Sequence, residues 1–200
     1  MATVAELVEA VSVVTMVEKK TVNAYARALI DAGSLPISKG RAIAHVSPEH
    51  GTNLLLAVAL QPVIKVSADM VRLYAGLIAE TGEGEITAAE CLANLFGAAS
   101  AGGIDGSVWK DVRLTVYESR LGLDISLPHG RGVLKFRLSN ALDLLPVERV
   151  RIDPNPFFSR SASIPFDAFV FICQVMRARQ PEANEQGKAC VELIEGLRAK

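Results

Sequence analysis

Side chains suited to nucleic-acid chemistry are concentrated in one short stretch of this 200-residue sequence, between residues 20 and 27. Lys20, Asn23 and Arg27 recur at intervals of three and four residues, so a helix would carry them on one face. Arginine can bind guanine through two hydrogen bonds, asparagine can bind adenine in the same way, and lysine neutralises phosphates. The spacing therefore predicts a helix face that contacts the phosphates and base edges of a nucleic acid.

The helix that would position these side chains is indicated by the apolar residues between them. The segment TVNAYARALIDAG, residues 21–33, carries an apolar stripe opposite the polar face, made of Val22, Ala26, Leu29 and Ile30. Gly33 stands where a left-handed residue ends a helix, and Pro36 prevents its continuation. An ordinary helical hairpin with a charged solvent face would show the same pattern, so the interpretation depends on the segment that follows.

That following segment is basic and ends at a new helix. Residues 37–41 read Ile-Ser-Lys-Gly-Arg and lead into a short extended piece that ends at Val46. Between residues 17 and 46 there are five basic residues against two acidic ones. Ser47 is a suitable N-cap for the next helix, with Pro48 at its first position. This order of helix, basic loop, extended piece and helix is typical of a winged helix-turn-helix.

A first helix is predicted before this motif. Thr3 and Glu6 have the spacing of a capping box. The β-branched residues between positions 11 and 17 lower helix propensity, so we expect the first helix to break near Ser12. In a helix-turn-helix the first helix packs across the second and holds it against the major groove.

With these elements, residues 1–61 resemble the DNA-binding domain of MerR-type regulators and related winged-helix proteins of phages and integrated elements. The resemblance lies in the string TVNAYARALIDAGSLP, in the Lys-Gly-Arg wing at residues 39–41, and in the helix start Ser-Pro-Glu at 47–49. It covers less than a third of the chain.

The resemblance implies that the second helix and the wing bind double-stranded DNA. Asn23 and Arg27 would contact bases, whereas Lys39 and Arg41 would lie on the wing and reach the DNA backbone or the minor groove. Tyr25 would either brace the helix or contact a phosphate. The expected DNA-binding residues are Lys20, Thr21, Asn23, Tyr25, Arg27, Lys39 and Arg41.

Composition limits the other classes of function. Half of the residues are hydrophobic and 22% are charged, so the chain can bury a substantial core. A net charge of −1 argues against a protein that coats nucleic acid indiscriminately. The three cysteines, Cys91, Cys173 and Cys190, have no metal-ligand or disulfide spacing, so neither a metal nor a cofactor is predicted. Motifs of hydrolases and P-loop proteins are lacking, and we expect a protein that is not an enzyme.

The expected location is the cytoplasm. The first ten residues carry acids rather than the basic start of a secretion signal, and the longest apolar run, residues 54–60, is too short to span a bilayer. We therefore expect a soluble protein with no membrane partner.

The whole chain predicts an α+β fold in three parts. Residues 1–61 would form the winged helix-turn-helix, 62–104 a helical linker or dimerisation segment, and 105–200 an α+β carboxy-terminal domain. The linker would contain a helix over residues 67–80. The last part would contain a small antiparallel β-meander, because residues 111–119 and two later segments alternate with a period of two. An apolar helix from about Ser163 and a last amphipathic helix would complete it.

These observations favour a sequence-specific transcriptional regulator of a phage or mobile element, acting as a homodimer. Its carboxy-terminal domain would dimerise or bind a partner. A second hypothesis is a protein-interaction module that binds RNA polymerase or a phage or defence factor instead of DNA. A third is an accessory factor for DNA packaging or excision.

Overall fold

The computed structural model describes residues 2–38, 43–81, 84–101, 112–117, 121–126, 132–138 and 161–177. These residues form six α-helices, one short 3-10 helix and a six-stranded antiparallel sheet, so the predicted α+β class is confirmed. The helices are α1 (Val4–Thr15), α2 (Lys19–Asp31), α3 (Pro48–Leu60), α4 (Ser67–Ala75), α5 (Ala88–Ala101) and α6 (Phe166–Arg177). The strands are β1 (Ile78–Thr81), β2 (Gly84–Thr87), β3 (Arg113–Tyr117), β4 (Gly122–Ser126), β5 (Val133–Arg137) and β6 (Ser161–Pro165).

Helix α1 begins as predicted but continues further. Its capping box is formed, since the backbone N–H of Thr3 donates to Glu6 Oε2 at 2.8 Å and that of Glu6 donates to Thr3 Oγ1 at 3.3 Å. The predicted break near Ser12 is wrong, because α1 ends only at Met16. Val8 and Val11 are buried, and this packing outweighs the low helix propensity of β-branched residues.

Helices α1, α2 and α3 pack against one another, as predicted for the amino-terminal part. Gly33 has the predicted left-handed conformation, with φ +73°, and the N–H of Ser34 donates to Leu29 O at 2.8 Å. Ser47 caps α3, with Pro48 in its first turn. Only three residues, 16–18, connect α1 to α2.

The segment after α3 differs from the predicted helical linker. Helix α4 ends at Ala75, and residues 78–87 form the β1–β2 hairpin where a helix up to residue 80 was predicted. Leu77 and Ala79 are buried and alternate with Ile78 and Glu80. This alternation has the period of a strand. Strand β1 pairs with β2 and β5 in the sheet, so its backbone N–H and C=O groups have hydrogen-bond partners there.

The strand order of the sheet is β2-β1-β5-β4-β3-β6. The predicted meander of β3, β4 and β5 is present, with Leu114 paired to Ile125 and Ile125 to Leu134. Strand β6 was not predicted and pairs with β3 at one edge, so the apolar helix α6 begins at Phe166. Helices α3, α5 and α6 contact the sheet. The predicted irregular segment near residues 140–160 and the last helix lie outside the described residues.

The buried residues of the three predicted segments belong to one hydrophobic cluster, from Ala2 in front of α1 to Cys173 in α6. Phe96 of α5 and Phe169 of α6 contact each other within it, with ring centroids 4.9 Å apart. Helix α1 also packs against α6, so the ends of the described chain are joined directly. Among the described helices, none has the length and apolar character needed to cross a bilayer.

Candidate nucleic-acid interface

One side of α2 is held in the core and the other is exposed. Its buried side consists of Val22, Tyr25, Ala26 and Leu29. Lys20, Asn23 and Arg27 are all exposed, and at the α-helical 100° per residue they fall within about 60° of the circumference. Thr21 is half-buried and lies about 100° around the helix axis from Lys20, outside this arc. We call Lys20, Asn23 and Arg27 the exposed face of α2.

Tyr25 does not belong to this face. Tyr25 is only 4% exposed, and its hydroxyl donates to the backbone oxygen of Pro62 at 2.9 Å. Burial raises the pKa of Tyr25, so the hydroxyl keeps its proton as a donor. Tyr25 therefore braces α2 against the connection between α3 and α4, which is one of the two roles expected for it.

The first turn of α2 is basic and lacks a side-chain cap. Glu18 at the N-cap makes no capping hydrogen bond, and the helix begins with Lys19 and Lys20. Cations are unfavourable at the positive end of a helix dipole, whereas an anion such as phosphate is favourable there. Lys19 forms an ion pair with Glu9 of α1. Within the described residues, Lys20 and Arg27 form no ion pair.

Two negative charges reduce the positive potential around this face. Asp31 is exposed in the last turn of α2, and Glu18 is exposed in front of its first turn. At the α-helical rotation per residue, Asp31 lies about 20° from Lys20 and about 40° from Arg27 around the axis, although it is displaced along it. The positive charges of this face are therefore Lys20 in the first turn of α2 and Arg27 in the third.

Comparisons with protein-family models, with curated proteins and with solved structures find no match to this chain. No family is shown. The winged helix-turn-helix assignment stays a prediction from the residue pattern.

The predicted wing falls mostly outside the described residues. Lys39 and Arg41 belong to the four residues between Ser38 and Ile43 that are not described. At the edges of this gap, the N–H of Ala44 donates to Ser38 Oγ at 3.0 Å. His45 forms an isolated antiparallel bridge with Thr3, which ties the predicted extended piece to the start of α1.

His50, which follows this segment, takes part in the capping box of α3. His50 lies in the first turn of α3, and its Nδ1 accepts a hydrogen bond from the N–H of Ser47 at 2.9 Å. Burial lowers the pKa of His50, and the nearby charge of Glu49 opposes this effect. In the part of the chain that the structure describes, no three His, Cys, Asp or Glu side chains are grouped to hold a metal ion.

One exposed residue beside α2 was missed by the sequence analysis. Met16, which ends α1, has a left-handed backbone with φ +55° and is 94% exposed. A glycine at this position would have indicated the turn, but methionine gives no such signal. Val13, one turn earlier in α1, is 54% exposed. Two apolar side chains are thus exposed on the last turn of α1 and directly after it.

Proposed function

We propose that this protein is a sequence-specific regulator that binds double-stranded DNA with α2 in the major groove. The observation that carries this proposal is the exposure of Lys20, Asn23 and Arg27 on one face of a helix whose other side is packed in the core. An α-helix fits the major groove, and these three residue types bind phosphate, adenine and guanine there.

The contacts that hold α2 in the fold are suited to DNA recognition. Specific recognition requires side chains held by rigid elements, because mobile ones would lose entropy on binding. Tyr25 fixes the buried side of α2 to Pro62 through its hydroxyl, and Arg72 of α4 donates to Ala32 O at 3.2 Å beyond its carboxyl end. Helix α2 is therefore anchored near its middle and just beyond its carboxyl end.

We propose that the protein binds two half-sites as a dimer, because this arrangement fits the low net charge of the chain. A net charge of −1 provides little unspecific attraction to DNA, so specificity would come from two sets of base contacts. We assign dimerisation or partner binding to the carboxy-terminal part, and transcriptional control of a phage or mobile element as the biological role.

The first test is binding of the purified chain to random-sequence duplex DNA over a range of salt concentrations. We expect the logarithm of the association constant to fall linearly with the logarithm of salt, because bound cations displace counterions. Lys20→Ala should lower the steepness of this line by about one unit for each protomer bound.

Lys135→Ala is the matched control, since Lys135 is an exposed lysine of β5 in the sheet. Its removal should leave the salt dependence unchanged. The proposal fails if the wild type does not bind duplex at low salt, or if the two variants weaken binding equally.

A protein-interaction module is the second candidate function, and the exposure of Val13 and Met16 favours it. A protein partner could bury these two side chains, which face solvent at the end of α1 and directly after it. This function predicts that the chain ignores duplex DNA even at low salt, while Lys20→Ala and Met16→Ala both weaken binding to a protein partner.

A further inference from the structure

The sheet ends in two edge strands, β2 and β6. Among the described strands, β2 pairs with β1 and β6 pairs with β3, so each edge strand has a neighbour on one side. On its other side, an edge strand directs a row of backbone N–H and C=O groups away from the sheet. These groups have the spacing of a β-ladder, so the ligand that fits them is a further extended strand.

Strand β2 carries the kind of charge that protects an edge from such pairing. Glu85 is exposed in β2 and lies opposite Glu80 of β1, which is also exposed. A second copy of β2 would bring further carboxylates to the same place, and like charges that face each other across strands are unfavourable. The β2 edge therefore disfavours contact with another copy of the chain.

Strand β6 has no charged residue and presents small side chains. Its sequence is Ser-Ala-Ser-Ile-Pro, residues 161–165. Ser161 and Ser163 are exposed, whereas Ile164 is buried opposite Leu114 of β3. Pro165, which cannot donate a backbone hydrogen bond, occupies only the last position, so the other four residues keep their N–H groups. Of the two edges, β6 is thus the one that can accept another strand.

A second copy of β6 is complementary to this edge. In the two-fold antiparallel arrangement that pairs all five residues, Ser163 lies opposite Ser163 of the second copy. Ala162 then lies opposite Ile164 on the core side of the sheet, and Ser161 lies opposite Pro165 on the outer side. A small residue faces a larger one in each of these pairs, and no two charges meet.

We propose that the protein forms a homodimer by antiparallel pairing of β6 with β6 of a second copy, which makes the two sheets continuous. Helix α3 packs against both β6 and α2, so this pairing holds the two copies of α2 in a fixed relation. The inference rests on the proposed function in that two half-sites require two copies of α2. It assigns the dimer contact to one strand of the carboxy-terminal part.

Sedimentation of the purified full chain without DNA tests this contact. We expect the wild type to show a monomer–dimer equilibrium that depends on protein concentration. Ser163→Lys places two lysines opposite each other at the two-fold axis, so the dissociation constant of the dimer should rise about tenfold. Ser163→Glu should have the same effect. A mixture of the two variants should form a heterodimer that is tighter than either homodimer, because opposite charges then meet.

Glu85→Lys is the control, because it places a lysine on the other edge of the sheet. It changes the net charge of the chain by two, whereas Ser163→Lys changes it by one. We expect Glu85→Lys to dimerise as the wild type does, which would show that position and not net charge decides the effect. Formation of the heterodimer would also show that both Ser163 variants are folded.

The outcomes distinguish this inference from the proposed function. The β6 contact is refuted if the wild type is a monomer at every concentration, if Ser163→Lys dimerises as tightly as the wild type, or if the mixed variants do not associate. Duplex binding that depends on Lys20 would in that case leave the function of α2 intact. A dimer that is weakened by Ser163→Lys and restored by mixing, but that ignores duplex DNA, would support the contact and refute the proposed function.

Discussion

At the scale of the residue, the same short helix contains side chains with opposite roles. Asn23 and Arg27 are exposed, whereas Tyr25 between them is buried and donates to Pro62. Sequence spacing placed Asn23 and Arg27 opposite the apolar stripe, but it left Tyr25 undecided. A tyrosine has an apolar ring and a polar hydroxyl, so its partner had to be known before it could be assigned.

Tyr25→Phe should destabilise the protein without changing its DNA contacts. Loss of one part-buried hydrogen bond is expected to lower the free energy of unfolding by about 1 kcal/mol. Urea denaturation measures this change, and the salt dependence of duplex binding should match that of the wild type. A shallower salt dependence in Tyr25→Phe would mean that this hydroxyl contacts phosphate after all.

At the scale of the element, boundaries marked by local residues were predicted well, whereas boundaries set by packing were not. Capping residues such as Thr3 and Ser47 lie next to the groups they satisfy, so a local pattern identified both starts. The end of α1 at Met16 and the end of α4 before β1 depend on what the chain packs against. Strand β6 has one buried residue, Ile164, so its pairing with β3 could not be predicted from a local pattern.

The capping box of α3 makes stability depend on pH through His50. Its Nδ1 must be unprotonated to accept from the N–H of Ser47, and its pKa is lowered by burial. A lowered folded-state pKa means that this contribution is present above the unfolded value of about 6.5 and is lost as pH falls below it. We therefore expect the free energy of unfolding to decrease between pH 7 and pH 5 in part because of His50.

His50→Gln isolates this effect, because glutamine serves at the same position of a capping box and does not titrate. Urea denaturation at pH 7 and pH 5 should show a smaller loss of stability for this variant than for the wild type. Equal losses in the two proteins would show that the cap does not depend on the protonation of His50.

At the scale of the whole molecule, the core connects elements that lie far apart in the sequence. Periodicity separates helical from extended segments, but it does not reveal which of them share a core. Here α1 packs against α6, and one hydrophobic cluster includes residues from all three predicted parts. Cys173 illustrates this, since its thiol donates to Phe96 O at 3.1 Å and burial raises its pKa to about 12. The support of α2 thus extends beyond the first 61 residues.

The central claim is that the exposed face of α2 reads base pairs, and selection of binding sites from random duplexes tests it most directly. Wild type and Arg27→Ala would be selected in parallel and the enriched sequences compared. We predict a defined site for the wild type and, for Arg27→Ala, loss of preference for one guanine in each half-site with the other positions retained. Identical enriched sites for the two proteins, or no enrichment by the wild type, would contradict the account.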